Sequence, residues 1–387
     1  YSTGLLMPAR SAISSIAAEW YPAAVKTSSA AANNCARRSS RGKRPLSLLI
    51  GGILLAELLD MKALVEPGRG LSGEEIQRYS RHILIPEIEL SGQERIVNAK
   101  VLCIGAGGLG SPTLMYLAAA GVGEIGILDF DKVDISNLQR QIIHTQADLG
   151  KSKVESAKEK ILAINENIKV NTHELKLEIS NAIEIFSKYD LVIDCTDNFA
   201  TRYLVNDAAA LIDMPYVWGS IYRFDGQTTV FFSKEGPCYR CLHPTPPPPG
   251  SVPSCAEGGV LGVICGAIGS IQANEALKLI TGAGKSLLGE LLIFDALDTG
   301  YQKIEIKKSP TCPICNGSQK ALLADYEEFC GIADTITSDD LRELKSDYLL
   351  IDVREPDEHA ALSIPGSVLI PKAKFEDGSA FASLTKD

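Results

Sequence analysis

The sequence predicts an α/β protein with a Rossmann-like, mostly parallel central sheet, and three observations predict it. First, Val101-Leu102-Cys103-Ile104 is a short apolar run that passes directly into the glycine-rich turn Gly105-Ala106-Gly107-Gly108-Leu109-Gly110. Short, wholly apolar strands are those buried on both faces, as a parallel sheet requires. Second, the Ala-rich stretch from Ser111 to Ala120 favours a helix, with Pro112 in the first turn, where proline is tolerated. Third, a further strand, Ile125 to Leu128, ends in Asp129, 19 residues after Gly110. Strand, turn, helix, strand and acid in this order make a ribonucleotide site. The glycines let backbone approach phosphate, the helix N-terminus supplies amides and positive partial charge, and the acid accepts from ribose hydroxyls.

Composition bounds the rest. A chain of 387 residues corresponds to two or three domains, and 45% hydrophobic against 22% charged residues suits a sizeable core. The net charge of −10 argues against a nucleic-acid partner or an anionic membrane surface, both of which call for clustered positive charge. No run of about 18 apolar residues occurs, so no membrane partner is expected. Residues 1–60 read differently, with seven Lys or Arg against three acids and a basic cluster (Arg37, Arg38, Arg41, Lys43, Arg44) ahead of apolar Leu46 to Leu59. The order is that of a targeting peptide, yet it sits too far from a start. The segment is expected to be an unstructured or non-native leader, with translation beginning at Met61.

Beyond the second strand, Ser136-Asn137-Leu138-Gln139-Arg140-Gln141 and Lys153 add cations to the nucleotide unit. Hydride transfer has little use for several cations beside phosphate, whereas expulsion of pyrophosphate develops charge that they stabilise. The apolar run Leu191-Val192-Ile193 ends in Asp194-Cys195-Thr196-Asp197-Asn198. The carboxyl end of a strand is where ligands bind in an open α/β sheet, so Asp197 is placed to hold Mg²⁺. His144, close to Arg140, is expected to hydrogen-bond rather than to act as a base. Cys103, Cys195 and Cys265 are expected to be core thiols. A nicotinamide-dependent oxidoreductase, or an inactive binding scaffold, remains compatible with the glycine turn and Asp129 alone.

Two C-x-x-C pairs, Cys238/Cys241 and Cys312/Cys315, have zinc-knuckle spacing and are 70 residues apart. Ten cysteines are too few for a disulfide scaffold at this length, and the paired spacing suggests metal in a reducing, cytoplasmic compartment. Cys255 follows the Pro-rich stretch His243 to Gly250 and precedes Ala256-Glu257-Gly258-Gly259. A mobile loop thiol there is a candidate nucleophile.

From about Leu71 to Cys315 the chain closely resembles the MoeB/ThiF family of adenylating enzymes, which activate ubiquitin-like sulfur-carrier proteins. The matching stretches are Arg78-Tyr-Ser-Arg81-His82, the glycine turn, Asp129-Phe-Asp131, Ser136 to Gln141 and Lys153-Val-Glu-Ser156. They continue with Asp194 to Asn198, Gly236-Pro-Cys238-Tyr-Arg-Cys241, Ser254-Cys255-Ala-Glu-Gly-Gly259 and Cys312-Pro-Ile-Cys315. The resemblance implies that the carrier's C-terminal Gly-Gly carboxylate attacks the α-phosphate of ATP. It also implies that Gly108, Asp129, Ser136, Asn137, Leu138, Gln139, Arg140, Lys153, Asp197 and Asn198 contact the nucleotide. Arg140, Lys153 and Asp197 would be catalytic, with Asp197 on Mg²⁺. Arg81 would reach the site of a partner subunit in a homodimer, the four paired cysteines would bind one Zn²⁺, and Cys255 would accept the carrier or its sulfur.

The C-terminal part resembles the opening half of a rhodanese domain, through Asp352-Val-Arg354-Glu355 and Ile364-Pro-Gly366. Thr337-Ser-Asp-Asp-Leu341 reads as its first helix. The domain plan is therefore 1–60 leader, 71–320 adenylyltransferase, 321–335 linker and 336–387 an incomplete α/β rhodanese-like unit. No cysteine follows Cys330, so sulfurtransferase activity is not expected of this stretch.

Overall fold

The computed structural model describes residues 62–248, 258–330 and 349–376, together with Ser379. The leader, Cys255 and the helix expected at residues 337–341 lie outside the described residues. Three short helices, α1 (Gly73–Arg78), α2 (Ser80–Ile83) and α3 (Glu89–Asn98), lead into β1 (Lys100–Ile104). The start of α1 follows from sequence. Ser72 accepts from the Glu75 amide, and Glu75 accepts in return from the Ser72 amide, which closes a capping box.

Eight strands form one sheet in the order β3-β2-β1-β4-β5-β6-β7-β8. The further strands are β2 (Glu124–Leu128), β3 (Lys169–His173), β4 (Leu191–Asp194), β5 (Tyr216–Tyr222), β6 (Asp225–Phe231), β7 (Glu290–Asp295) and β8 (Gly300–Glu305). Pairing is parallel from β3 through β5 and antiparallel from β5 through β8. The parallel core is the part that the apolar runs predicted, since Val101 to Ile104 and Leu191 to Asp194 are all buried. Strand β6 is buried from Thr228 to Phe231, β7 is partly exposed and β8 faces water, as the edge of an antiparallel flank permits.

The covering helices are α4 (Gly110–Ala120), α5 (Lys153–Ile164), α6 (Ala182–Phe186), α7 (Phe199–Leu211), α8 (Tyr239–Leu242) and α9 (Gly262–Thr281). Helix α9 packs against α4, α3 and strands β4 to β6. By length and composition it is apolar enough to cross a membrane, but 56% of that window is buried in this fold. Such a stretch is what a core helix needs. Cys103, Cys195 and Cys265 are buried, as their positions in apolar elements predicted.

Within the stretch read as a linker, α10 (Tyr326–Phe329) is anchored on α7. The Tyr326 hydroxyl donates to Asp207 Oδ2 at 2.8 Å, and the Phe329 ring meets Tyr203 edge-on at 5.1 Å. Further on, β9 (Ile351–Asp352) and β10 (Val368–Leu369) pair in parallel, with α11 (Pro356–Ala361) between them and α12 (Lys372–Glu376) after them. Asp352 takes a two-pronged contact from Arg354, at 2.9 and 2.6 Å, and lies 2.8 Å from His359 Nδ1.

The turn after β1 brings backbone close to backbone. Gly105 has φ +93°, and a β-carbon at Gly110 would overlap the Gly105 carbonyl oxygen. Gly110→Ala should therefore cost at least about 2 kcal/mol of stability. Equilibrium urea unfolding measures it, alongside a matching loss of nucleotide binding.

Candidate active site

β1 lies between β2 and β4, so the chain leaving β1 and the chain leaving β4 diverge at the carboxyl ends of their strands. Such switch points open a crevice. Here an open cleft of about 170 Å³ occupies it, floored by Gly105, Gly107 and Gly108 just before α4. Asp129 and Asp131 enter from the end of β2, Thr196, Asp197 and Asn198 from the end of β4, Arg140 from between β2 and α5, and Lys153 from the first turn of α5.

The glycine turn is held from two sides. Asp129, buried, accepts from the Ala106 amide at 2.8 Å and from the Asp131 amide at 2.9 Å. Burial pushes its carboxyl up from the usual range, against the pull of Lys153 and the two amides. His144, also buried, lies 3.0 Å from the Ala106 carbonyl through Nε2 and 2.9 Å from Ser156 Oγ through Nδ1. A carbonyl only accepts, so Nε2 carries the proton and Nδ1 takes the serine hydroxyl. Burial lowers its pKa, which keeps the ring neutral. The expected hydrogen-bonding role of His144 is the one the geometry shows.

The charges over this floor are arranged unequally. Lys153, 7% exposed, reaches Asp131 Oδ2 at 2.7 Å. Arg140 donates to the Ser136 carbonyl at 3.0 Å and has no ion pair among the described residues. Asp197 is exposed and makes no hydrogen bond or ion pair among them, while Asn198 caps α7 by accepting from the Thr201 amide at 2.9 Å. A guanidinium without an ion pair, a buried ammonium and an exposed carboxylate thus face one cleft beside a helix N-terminus.

Not every expected residue lies there. Ser136 and Asn137 belong to a short 3₁₀ turn, and Leu138 and Gln139 carry the chain on to Arg140 without lining the cleft. Arg81 is exposed on α2 and does not line it either. Among the lining residues that the sequence does not assign are Asp131, Gln141 and Arg202. Asp131 lies within a motif stretch but was given no role. Gln141 lines the cleft with its amide oxygen buried and without a partner among the described residues. Arg202, on α7, is 7% exposed and had no sequence signal beyond its place at helical spacing from Asn198.

The two C-x-x-C pairs meet. Sulfur separations are 3.8 Å for Cys238–Cys241, 3.5 Å for Cys238–Cys312 and 3.4 Å for Cys241–Cys315. All four sulfurs lie within 4.8 Å of one another and could hold a metal ion. Between the first pair, Arg240 forms a buried two-pronged ion pair with Asp207 of α7, both contacts at 2.8 Å. Asp207 also accepts from Asn206, Gln319 and Tyr326.

Fold and cleft together define a nucleotide-binding α/β protein whose site gathers charge at the phosphate end. The ThiF family model matches residues 79–314, more than half of the chain, and the chain belongs to the ThiF family. The probable adenylyltransferase/sulfurtransferase MoeZ of Mycobacterium tuberculosis is 54% identical over 341 residues, covering 84% of this chain and 86% of that protein. The sulfur carrier protein adenylyltransferase of Thermus thermophilus is 49% identical, covering 67% of this chain and 98% of its own. Among solved structures, E. coli MccB with ATP matches with a TM-score of 0.54 at 22% identity, covering 64% of this chain and 77% of that one. That likeness concerns the fold.

Replacing Arg240 with Met would strand the Asp207 charge in the interior. The expected loss is about 3 kcal/mol of stability, read by denaturant unfolding followed through Trp218, which packs on Tyr239.

Proposed function

We propose that this chain is an ATP-dependent adenylyltransferase that activates the C-terminal Gly-Gly carboxylate of a ubiquitin-like sulfur carrier. The observation that carries the reading is the convergence of Arg140, Lys153 and Asp197 on one cleft above the glycine turn. A carboxylate oxygen of the carrier attacks the α-phosphorus of ATP, the bond to the β-phosphate oxygen breaks, and pyrophosphate leaves from an acyl adenylate. The nucleophile carries no proton, so the site needs no general base, in keeping with a neutral, fully engaged His144. Bringing two anions together is the difficulty, and positioning with charge neutralisation supplies the rate. Arg140 and Lys153 receive the charge that develops on the departing pyrophosphate, Lys153 exchanging Asp131 for phosphate. Gly108 lets the phosphates approach the helix start, and Asp129 faces the ribose.

Asp197 is the residue suited to Mg²⁺, being a free, hard oxygen donor in the cleft. When bound, Mg²⁺ neutralises phosphate charge. The four thiols suit Zn²⁺. Bonds of about 2.3 Å in a tetrahedron put sulfurs about 3.8 Å apart, close to the separations present here. That site would be closed and structural. Arg81, exposed away from its own cleft, fits a role in a partner subunit's cleft within a homodimer. Cys255 is assigned to accept the carrier or its sulfur after activation, and residues 336–387 to a rhodanese-like unit. The setting is a reducing cytoplasm.

ATP–pyrophosphate exchange tests the reading. Exchange should depend on a carrier ending in Gly-Gly, vanish when those glycines are removed, and fall at least 100-fold in Arg140→Ala. Carrier binding without exchange would make the chain a scaffold, and nicotinamide turnover an oxidoreductase. For the thiol site, Cys312→Ser should lose one equivalent of zinc by metal analysis and lower the thermal midpoint by several degrees, with the same result on chelation of the unaltered protein.

A further inference from the structure

Thr196, immediately before Asp197, is gripped on every polar atom. Its amide and its hydroxyl both donate to Asp194 Oδ1, at 2.9 and 2.7 Å. Its carbonyl accepts from Arg202 through Nε at 3.3 Å and Nη2 at 3.0 Å. Both gripping groups are themselves rigidly held. Asp194 is fully buried at the end of β4, in register with Trp218 of β5, and its own carbonyl accepts from Gln272 of α9 at 2.9 Å. Arg202 is 7% exposed, and its guanidinium lies 5.6 Å from the Phe199 ring centre and 5.7 Å from that of Trp218. No carboxylate pairs with Arg202 within ion-pair distance among the described residues. A buried guanidinium that gives two donors to one backbone carbonyl and meets the Tyr239 hydroxyl, rather than pairing with an acid, is doing so for position. Asp197 itself, one residue on, has no side-chain hydrogen bond or ion pair among the described residues.

We propose that Arg202 is a positioning residue of this site. With Asp194 it clamps Thr196 from both sides and so fixes where the Asp197 carboxylate stands in the cleft. The proposal rests on the reading of Asp197 as the residue that meets the divalent cation. A placement error of about 1 Å at such a group costs on the order of 100-fold in rate. Arg202→Lys keeps the charge but donates from a single point, so it should retain the fold and lose the alignment.

The test uses the full chain, with Mn²⁺ as the probe cation and a non-hydrolysable α,β-methylene analogue of ATP. Bound Mn²⁺ is read by electron paramagnetic resonance, and metal-free AMP affinity by calorimetry. Asp197→Asn should weaken Mn²⁺ at least tenfold. Arg202→Met should weaken it about tenfold and Arg202→Lys three- to tenfold, with AMP affinity within twofold of the unaltered protein. Unaltered Mn²⁺ affinity in a folded Arg202→Lys overturns the proposal, whether or not Arg202→Met folds. A parallel loss of AMP affinity overturns it too, by making Arg202 a direct nucleotide contact. If Asp197→Asn binds Mn²⁺ like the unaltered protein, the assignment of Asp197 fails and takes the inference with it. Failure of pyrophosphate exchange with Mn²⁺ results as expected would sink the adenylation reading alone.

Discussion

Everything that the cleft does depends on how closely backbone packs on backbone after β1. Gly105 turns with a positive φ, and the chain comes back so tightly that Gly110 sits against the Gly105 carbonyl. That closeness aims the start of α4 at the crevice beside β4, so its unsatisfied amides face the cleft instead of the sheet. Any side chain at Gly110 would push helix and strand apart. Geometry and electrostatics are therefore a single constraint at this point.

Around the turn, buried polar groups act as braces. Ala106 has its amide taken by Asp129 and its carbonyl by His144, so the loop is fixed before any ligand arrives. Preorganisation of this kind spares reorganisation when charge develops. It also explains how two ionisable side chains beside a nucleotide can have structural work. Asp129 spends both oxygens on amides, and His144 spends both nitrogens on neutral partners.

On the far side of α7 the same logic joins distant segments. The Asp207 carboxylate collects Arg240 from between the first cysteine pair, Gln319 from just after the second, and Tyr326 from α10. A buried charge is tolerated only with such company. The cysteine cluster and the chain that leaves it are thereby tied to the helix that Asn198 caps at the cleft. This is why residues 323–330 are part of the packed body although the sequence places them in a linker. A stretch this short carries no periodicity from which docking could be read.

The sequence by itself determined the parallel core, the glycine turn, the acid after β2 and the cysteine pairs. Each is a local pattern, an apolar run or a fixed spacing, whose physical meaning does not depend on distant residues. It also supplied Arg140, Lys153 and Asp197 as chemistry in search of a place. Only the tertiary structure decided that these three face one cleft, that Arg81 and the turn from Ser136 to Gln139 stand outside it, and that Gln141 and Arg202 line it. The reason is that strand order, β1 between β2 and β4, brings together segments some 90 residues apart. Sequence patterns label the ends of strands, but they do not state which strands are neighbours. The antiparallel flank β6 to β8 is not legible for the same reason, since such strands gain their pairing from the sheet they join.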